Sequence, residues 1–115
     1  MRRRPSGLAA AIVAVIAASL LFAAAAQAAD ATLRAKNVAP GVWTVQGEAA
    51  MGSAANRNFI SNASFVVTED GVVVIDALGS PALAQELIAE IRRVAAQPIR
   101  HVIVTHYHAD HIYGL

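Results

Sequence analysis

Four side chains near the end of this 115-residue sequence have the types and spacing to bind metal: His106, His108, Asp110 and His111. His106 and His108 are two apart, and alternate residues of an extended chain point the same way. Both imidazoles can therefore face one ion. Asp110 and His111 are adjacent, so a strand would point them apart, whereas a turn after His108 would aim them together at a second ion nearby. Imidazole with carboxylate suits Zn²⁺, Fe²⁺ or Mn²⁺. There are no cysteines, so any metal site in this segment uses nitrogen and oxygen ligands. His101 lies five residues before His106, which puts it on the opposite face of a strand, and it is read as a solvated histidine.

The elements that must carry these residues are legible. Val42-Trp43-Thr44-Val45 is a short β run after the turn Ala39-Pro40-Gly41, and residues 29–37 are a polar lead-in or short edge strand. Residues 49–58, small and polar, read as a loop. Residues 64–68 and 72–76 are two strands joined at Glu69-Asp70-Gly71, where glycine supplies positive φ. The continuous apolar run of residues 72–75 predicts burial on both faces. A helix follows, with Ser80 as N-cap and Pro81 in first position. Its apolar face is Leu83, Leu87, Ile88, Ile91, Val94 and Ala95, with Glu86, Glu90 and Arg93 turned to water. Pro98 ends it. Residues 99–105 form a β-branched, buried-type strand running into the histidines. The helix makes that strand a candidate parallel neighbour of residues 72–76, with the histidines beyond its carboxyl end. The fold class is α/β.

The first 28 residues have a different character. Arg2, Arg3 and Arg4 precede an Ala-rich apolar run, residues 8–26, and Ala26-Gln27-Ala28 is an A-x-A site. This is the layout of a secretory signal peptide cleaved after Ala28, with an uncleaved membrane anchor as the alternative. The mature chain, residues 29–115, keeps six Lys+Arg (nine less three) against eight Asp+Glu, a net −2 where the whole chain is +1. No basic stripe remains, so nucleic acid is not an expected partner. The expected location is periplasmic or secreted, with membrane contact only through the leader during export. Asn62-Ala63-Ser64 matches a glycosylation sequon and is assigned no role.

Thr105-His106-Tyr107-His108-Ala109-Asp110-His111, with Gly114, resembles the H-x-H-x-D-H signature of the metallo-β-lactamase superfamily. The upstream "FVVTEDGVVVIDA", the Ser-Pro helix and "IRHVIVTH" agree with it, so the resemblance covers roughly residues 38–115. It implies the N-terminal portion of an αββα sandwich with metals at one edge of two sheets. By resemblance, His106 and His108 serve a first zinc and Asp110 and His111 a second, with Asp110 also orienting the nucleophile. Asp76 supports the site without ligating, against the alternative of an exposed strand terminator. Residues 49–58 correspond to a loop that covers substrate, or are a plain connector. The family's later ligands have no counterpart here, and two ligands per ion are too few. The expectation is therefore the first part of a longer exported zinc hydrolase that attacks a small-molecule amide, ester or thioester with a metal-activated hydroxide. A natural stop codon after Leu115 would overturn it. The histidines must be neutral to ligate, so activity should fall in acid. Within the family, β-lactamases and the periplasmic hydrolases of quinoprotein or sulfur-oxidation systems are candidates. Alternatives are a nuclease, opposed by the leader and the missing basic patch, a di-iron oxidoreductase, and an inactive metal-binding remnant.

Overall fold

The computed structural model describes residues 33–115. The leader and its cleavage site lie outside the described residues. No helix among the described residues is long and apolar enough to cross a membrane.

Five strands make one mixed sheet in the order β1 (Lys36–Ala39), β2 (Val42–Val45), β3 (Ala63–Val67), β4 (Val72–Ile75) and β5 (Ile99–Ile103). The first four are antiparallel neighbours. Helix α1 (Pro81–Val94) carries the chain from β4 to β5, which pair in parallel with Ile75 opposite Ile103. A single-turn helix α2 (Ala109–Ile112) follows. This is the expected α/β layer, with one sheet of the implied sandwich among the described residues.

Local chemistry accounts for the joints. Gly41 turns β1 into β2 at φ +72. At the β3–β4 turn the Thr68 amide donates to the Gly71 carbonyl at 2.9 Å, and the Gly71 amide to Thr68 Oγ1 at 3.2 Å. Ser80 Oγ caps α1 by accepting from the Leu83 amide at 3.3 Å. The core lies between one face of the sheet and α1. Val45, Phe65 and Val72 meet Leu78, Leu83 and Ile91 there, all fully buried. Burying each such side chain is worth roughly 1.5–3 kcal/mol. Trp43 and Phe65 are register partners with rings 6.2 Å apart and nearly parallel.

Three expectations need correction. β4 is not buried on both faces: Val72 and Val74 are buried, whereas Val73 and Ile75 are half-buried, because α1 covers one face. β5 is not a buried strand; all five residues are exposed, including Ile103 at 53%. Among the described residues it ends the sheet order, with β4 alone as a neighbour. An apolar groove along α1 and β5, lined by Leu87, Ile91, Ile99 and Val102, carries no ligand-type side chain.

The third correction concerns the polar face of α1. Glu90 is buried and Glu86 half-buried, where both were expected to face water. Glu90 accepts from the Ala35 amide at 2.9 Å, from Arg34 at 3.2 Å and from Arg93 at 3.0 Å. Glu86 is paired with Arg57 and accepts from the Leu33 amide at 3.5 Å. The lead-in to β1 lies along this side of the helix, and unpaired amides there need acceptors.

Candidate metal centre

The site is built where β4 and β5 end. The parallel pairing brings the residues after Ile75 beside those after Ile103, and the Asp76 amide donates to the Ile103 carbonyl at 2.8 Å. Asp76 and Leu78 both have left-handed backbone, at φ 63 and 67. For a leucine that conformation costs on the order of 1–2 kcal/mol, and aspartate tolerates it better. Such strain is characteristic of functional sites, and here it turns the chain under the histidine cluster.

Asp76 is 5% exposed, so it is not a solvated strand terminator. Its Oδ1 accepts from the Thr105 amide at 2.8 Å. Its Oδ2 accepts from the Thr105 hydroxyl at 2.7 Å and from His111 Nδ1 at 2.8 Å. Burial pushes its carboxyl up, but the Thr105 amide, the Thr105 hydroxyl and His111 outweigh that and hold it below the ordinary carboxylate range.

These bonds set the proton positions on two histidines. With Asp76 ionised, His111 Nδ1 must donate, which leaves the Nε2 lone pair outward. The Thr105 hydroxyl spends its proton on Asp76, so it accepts from His106 Nδ1 at 2.9 Å. His106 therefore also carries its proton on Nδ1 and its lone pair on Nε2. A carboxylate behind a histidine is the usual support for a metal ligand, and here one carboxylate stands behind two histidines, directly at His111 and through Thr105 at His106.

His106 Nε2 lies 3.1 Å from His108 Nδ1. His111 Nε2 lies 3.5 Å from Asp110 Oδ2. The rings of His106 and His111 are 4.1 Å apart. His106 and His108 are exposed, and Asp110 and His111 are half-buried. The turn that pairs the last two is α2: the His111 amide bonds the His108 carbonyl at 2.9 Å.

Two ligands each ~2.1 Å from a tetrahedral zinc stand ~3.4 Å apart. Both pairs match that spacing within a few tenths of an ångström, and their donor chemistry suits zinc, iron or manganese. The donor count is short. Among the described residues no group of three or more His, Asp or Glu could hold an ion. The four residues thus fit a cation cage as two half-sets, with a catalytic zinc requiring three protein ligands and water.

His101 sits in β5 opposite Val73, beside Arg100 and Asp70, apart from this cluster. Sequence reading gave no role to Thr105 or Ser61. For Thr105 the signal was its place directly before His106, at the bend that follows β5. Ser61 had none. It is buried, and its hydroxyl donates to the Asp110 carbonyl from 49 residues away.

The loop before β3 reaches the site's edge. A Cβ at Gly79 would lie 3.2 Å from Asp110 Cα and 3.4 Å from Asn58 Nδ2. Residues 49–58 therefore end beside the metal-type turn, and Arg57 ties them to α1 through Glu86.

The chain is 33% identical over 46 residues to a protein named linear primary-alkylsulfatase from Pseudomonas sp. (strain ATCC 19151). That stretch is 40% of this chain and 9% of the relative, so the match spans a small part of the relative's length. The sequence pattern of the metallo-beta-lactamase superfamily matches residues 56–115, from the loop before β3 through α2. Its span starts later than the resemblance drawn from residue 38, leaving β1 and β2 outside. With half of the chain matched, and the matched half holding Asp76, Thr105 and all four candidate ligands, the chain belongs to the metallo-β-lactamase superfamily.

Proposed function

We propose that the complete protein is an exported, zinc-dependent hydrolase of amide, ester or thioester bonds in small molecules. The observation that carries this reading is two pairs of ligand-type atoms near one buried carboxylate, His106 Nε2 with His108 Nδ1 at 3.1 Å and His111 Nε2 with Asp110 Oδ2 at 3.5 Å. His106 and His108 hold a first ion, and Asp110 and His111 a second, with further ligands supplied from outside the described residues. Bound zinc would supply Lewis acidity and lower the pKa of water towards ~7. The chain's own part is orientation. Asp76 and Thr105 keep the protons of His106 and His111 on Nδ1, so neither ring has to change tautomer to ligate. The Asp110 carboxylate, at the rim of α2, orients the attacking water. Export rests on the arginine-led apolar run and the A-x-A site of residues 1–28.

A second substrate class has its own support. The relative named as an alkylsulfatase acts, by that name, on sulfate esters, which adds a primary alkyl sulfate to the bonds to be tried. The full reading frame should be expressed and its metal content measured. Hydrolysis of a β-lactam, a carboxyl ester, a thioester and an alkyl sulfate should then be assayed with and without a strong chelator. The expected result is zinc in the purified protein, and one of these activities abolished by chelation and by His108→Ala. A metal-free protein, or full activity in His108→Ala, would sink the reading.

A further inference from the structure

The second candidate pair sits on a helix too short to hold itself. Helix α2 is one turn, and isolated turns of this length are unstable because nucleation is costly. Its shape depends on where its carbonyls find donors. The His108 carbonyl accepts from His111 N, the Ala109 carbonyl from Tyr113 N, and the Ile112 carbonyl from Leu115 N. The other two are met from outside. The His111 carbonyl accepts from the Ala77 amide at 2.8 Å. The Gly114 amide, which would close the next α turn onto the Asp110 carbonyl, donates instead to the Leu78 carbonyl at 3.1 Å. That leaves the Asp110 carbonyl to the hydroxyl of Ser61.

Ser61 is well placed to be a fixed point. It is 5% exposed and lies just before β3. A Cβ at Gly47 would run into its backbone, so the end of β2 packs tightly against it. The neighbouring Asn62 accepts from the Gly47 amide at 3.1 Å. The tether therefore links the β2–β3 edge of the sheet to the main chain of the residue that carries the candidate carboxylate. Resting on the reading of Asp110 and His111 as a ligand pair, we infer that Ser61 is a positioning residue for the second metal: its hydroxyl fixes the α2 backbone so that Asp110 Oδ2 and His111 Nε2 stay one ion's width apart. In the first pair, His106 is held through Thr105 and both residues lie before α2, so the tether is expected to act chiefly on the second pair.

The test is a zinc competition titration of the full-length protein against a chromophoric chelator, resolving the two binding steps. Ser61→Ala should weaken the second step by ~10–100-fold, the usual scale for loss of a group behind a ligand, while the first step stays within about twofold. Ser61→Thr, which keeps the hydroxyl, should restore the second step. Ser64→Ala serves as the control. It removes a hydroxyl bonded to Thr44 Oγ1 at 3.1 Å in the same sheet, and should leave both steps unchanged. Equal weakening of both steps in Ser61→Ala, or wild-type affinity at the second, overturns the positioning role while leaving the zinc reading intact. A wild-type protein that binds no zinc removes both.

Discussion

Two regions of this chain hold carboxylates out of water, and they use them for opposite ends. On α1, Glu90 is buried beneath Arg34 and Arg93, and Glu86 is paired with Arg57. At the end of β4, Asp76 is equally buried but bonds to Thr105 and His111. All three carboxyls are held below their ordinary range. For Glu90 the first cause is its bond to Arg93, and for Glu86 its bond to Arg57, each opposed by burial. For Asp76 burial is the largest influence and acts upward, and only the combined donors reverse it. The difference is in the partners. A guanidinium has donors only and always keeps its charge, so it offers no lone pair to a metal. A histidine passes the network on: one nitrogen fixed by the carboxylate leaves the other aimed at something else. The glutamates fasten the N-terminal lead-in to the helix, whereas the aspartate prepares lone pairs.

Breaking the aspartate should therefore damage the site far more than breaking a glutamate. Asp76→Ala frees both His106 and His111. In the full-length protein we expect zinc affinity to fall ~100-fold and hydrolysis with it, read by competition titration and kcat/KM. Unchanged zinc affinity would erase the contrast. Thr105→Val sharpens it, because it cuts the link to His106 and leaves His111 on Asp76. A loss of ~10-fold, confined to the first ion, is expected in the same titration.

The helix side should answer in stability instead. Glu90→Gln weakens the bonds to Arg34 and Arg93, and urea unfolding should register a loss of about 1 kcal/mol with zinc affinity intact, given that both arginines are solvent-exposed. Acid should act on both regions with one sign. A carboxyl whose folded pKa is lowered binds fewer protons than in the unfolded chain, so its stabilisation is complete above the ordinary value near ~4 and drains away as pH falls through the lowered one. Unfolding free energy should thus decline below about pH 4, and Glu90→Gln should flatten part of that decline. The smallest effect expected is Ser80→Ala. Losing that cap costs about 1 kcal/mol or less and should leave zinc binding and the acid slope unchanged, so any loss of zinc would mean that α1 itself carries the site.

Local patterns made much of this molecule readable. The Ser80-Pro81 start, the turn at Gly71, the β-branched runs and the ligand spacing of residues 106–111 are each set within a few residues, by covalent geometry and side-chain shape. Parallel pairing of β5 with β4 followed from a helix between two strands. Burial was harder to read. Ile99 to Ile103 look like a core strand because Ile99, Val102 and Ile103 are β-branched and apolar, yet among the described residues β5 ends the sheet and stays exposed. Glu90 looks like a surface residue because it is charged, yet an amide 55 positions earlier needs its oxygen.

By itself, then, the sequence determined which donor atoms are present, how far apart they lie along the chain, and which segments run as strand or helix. Tertiary structure alone decided which nitrogen of His106 and His111 faces outward, which carboxylate stands behind them, and that Ser61 closes the turn under Asp110. Those outcomes depend on hydrogen bonds between groups 29 to 49 residues apart. Short-range spacing carries no record of such partners, because only the packing of β3, β4 and β5 brings them within reach.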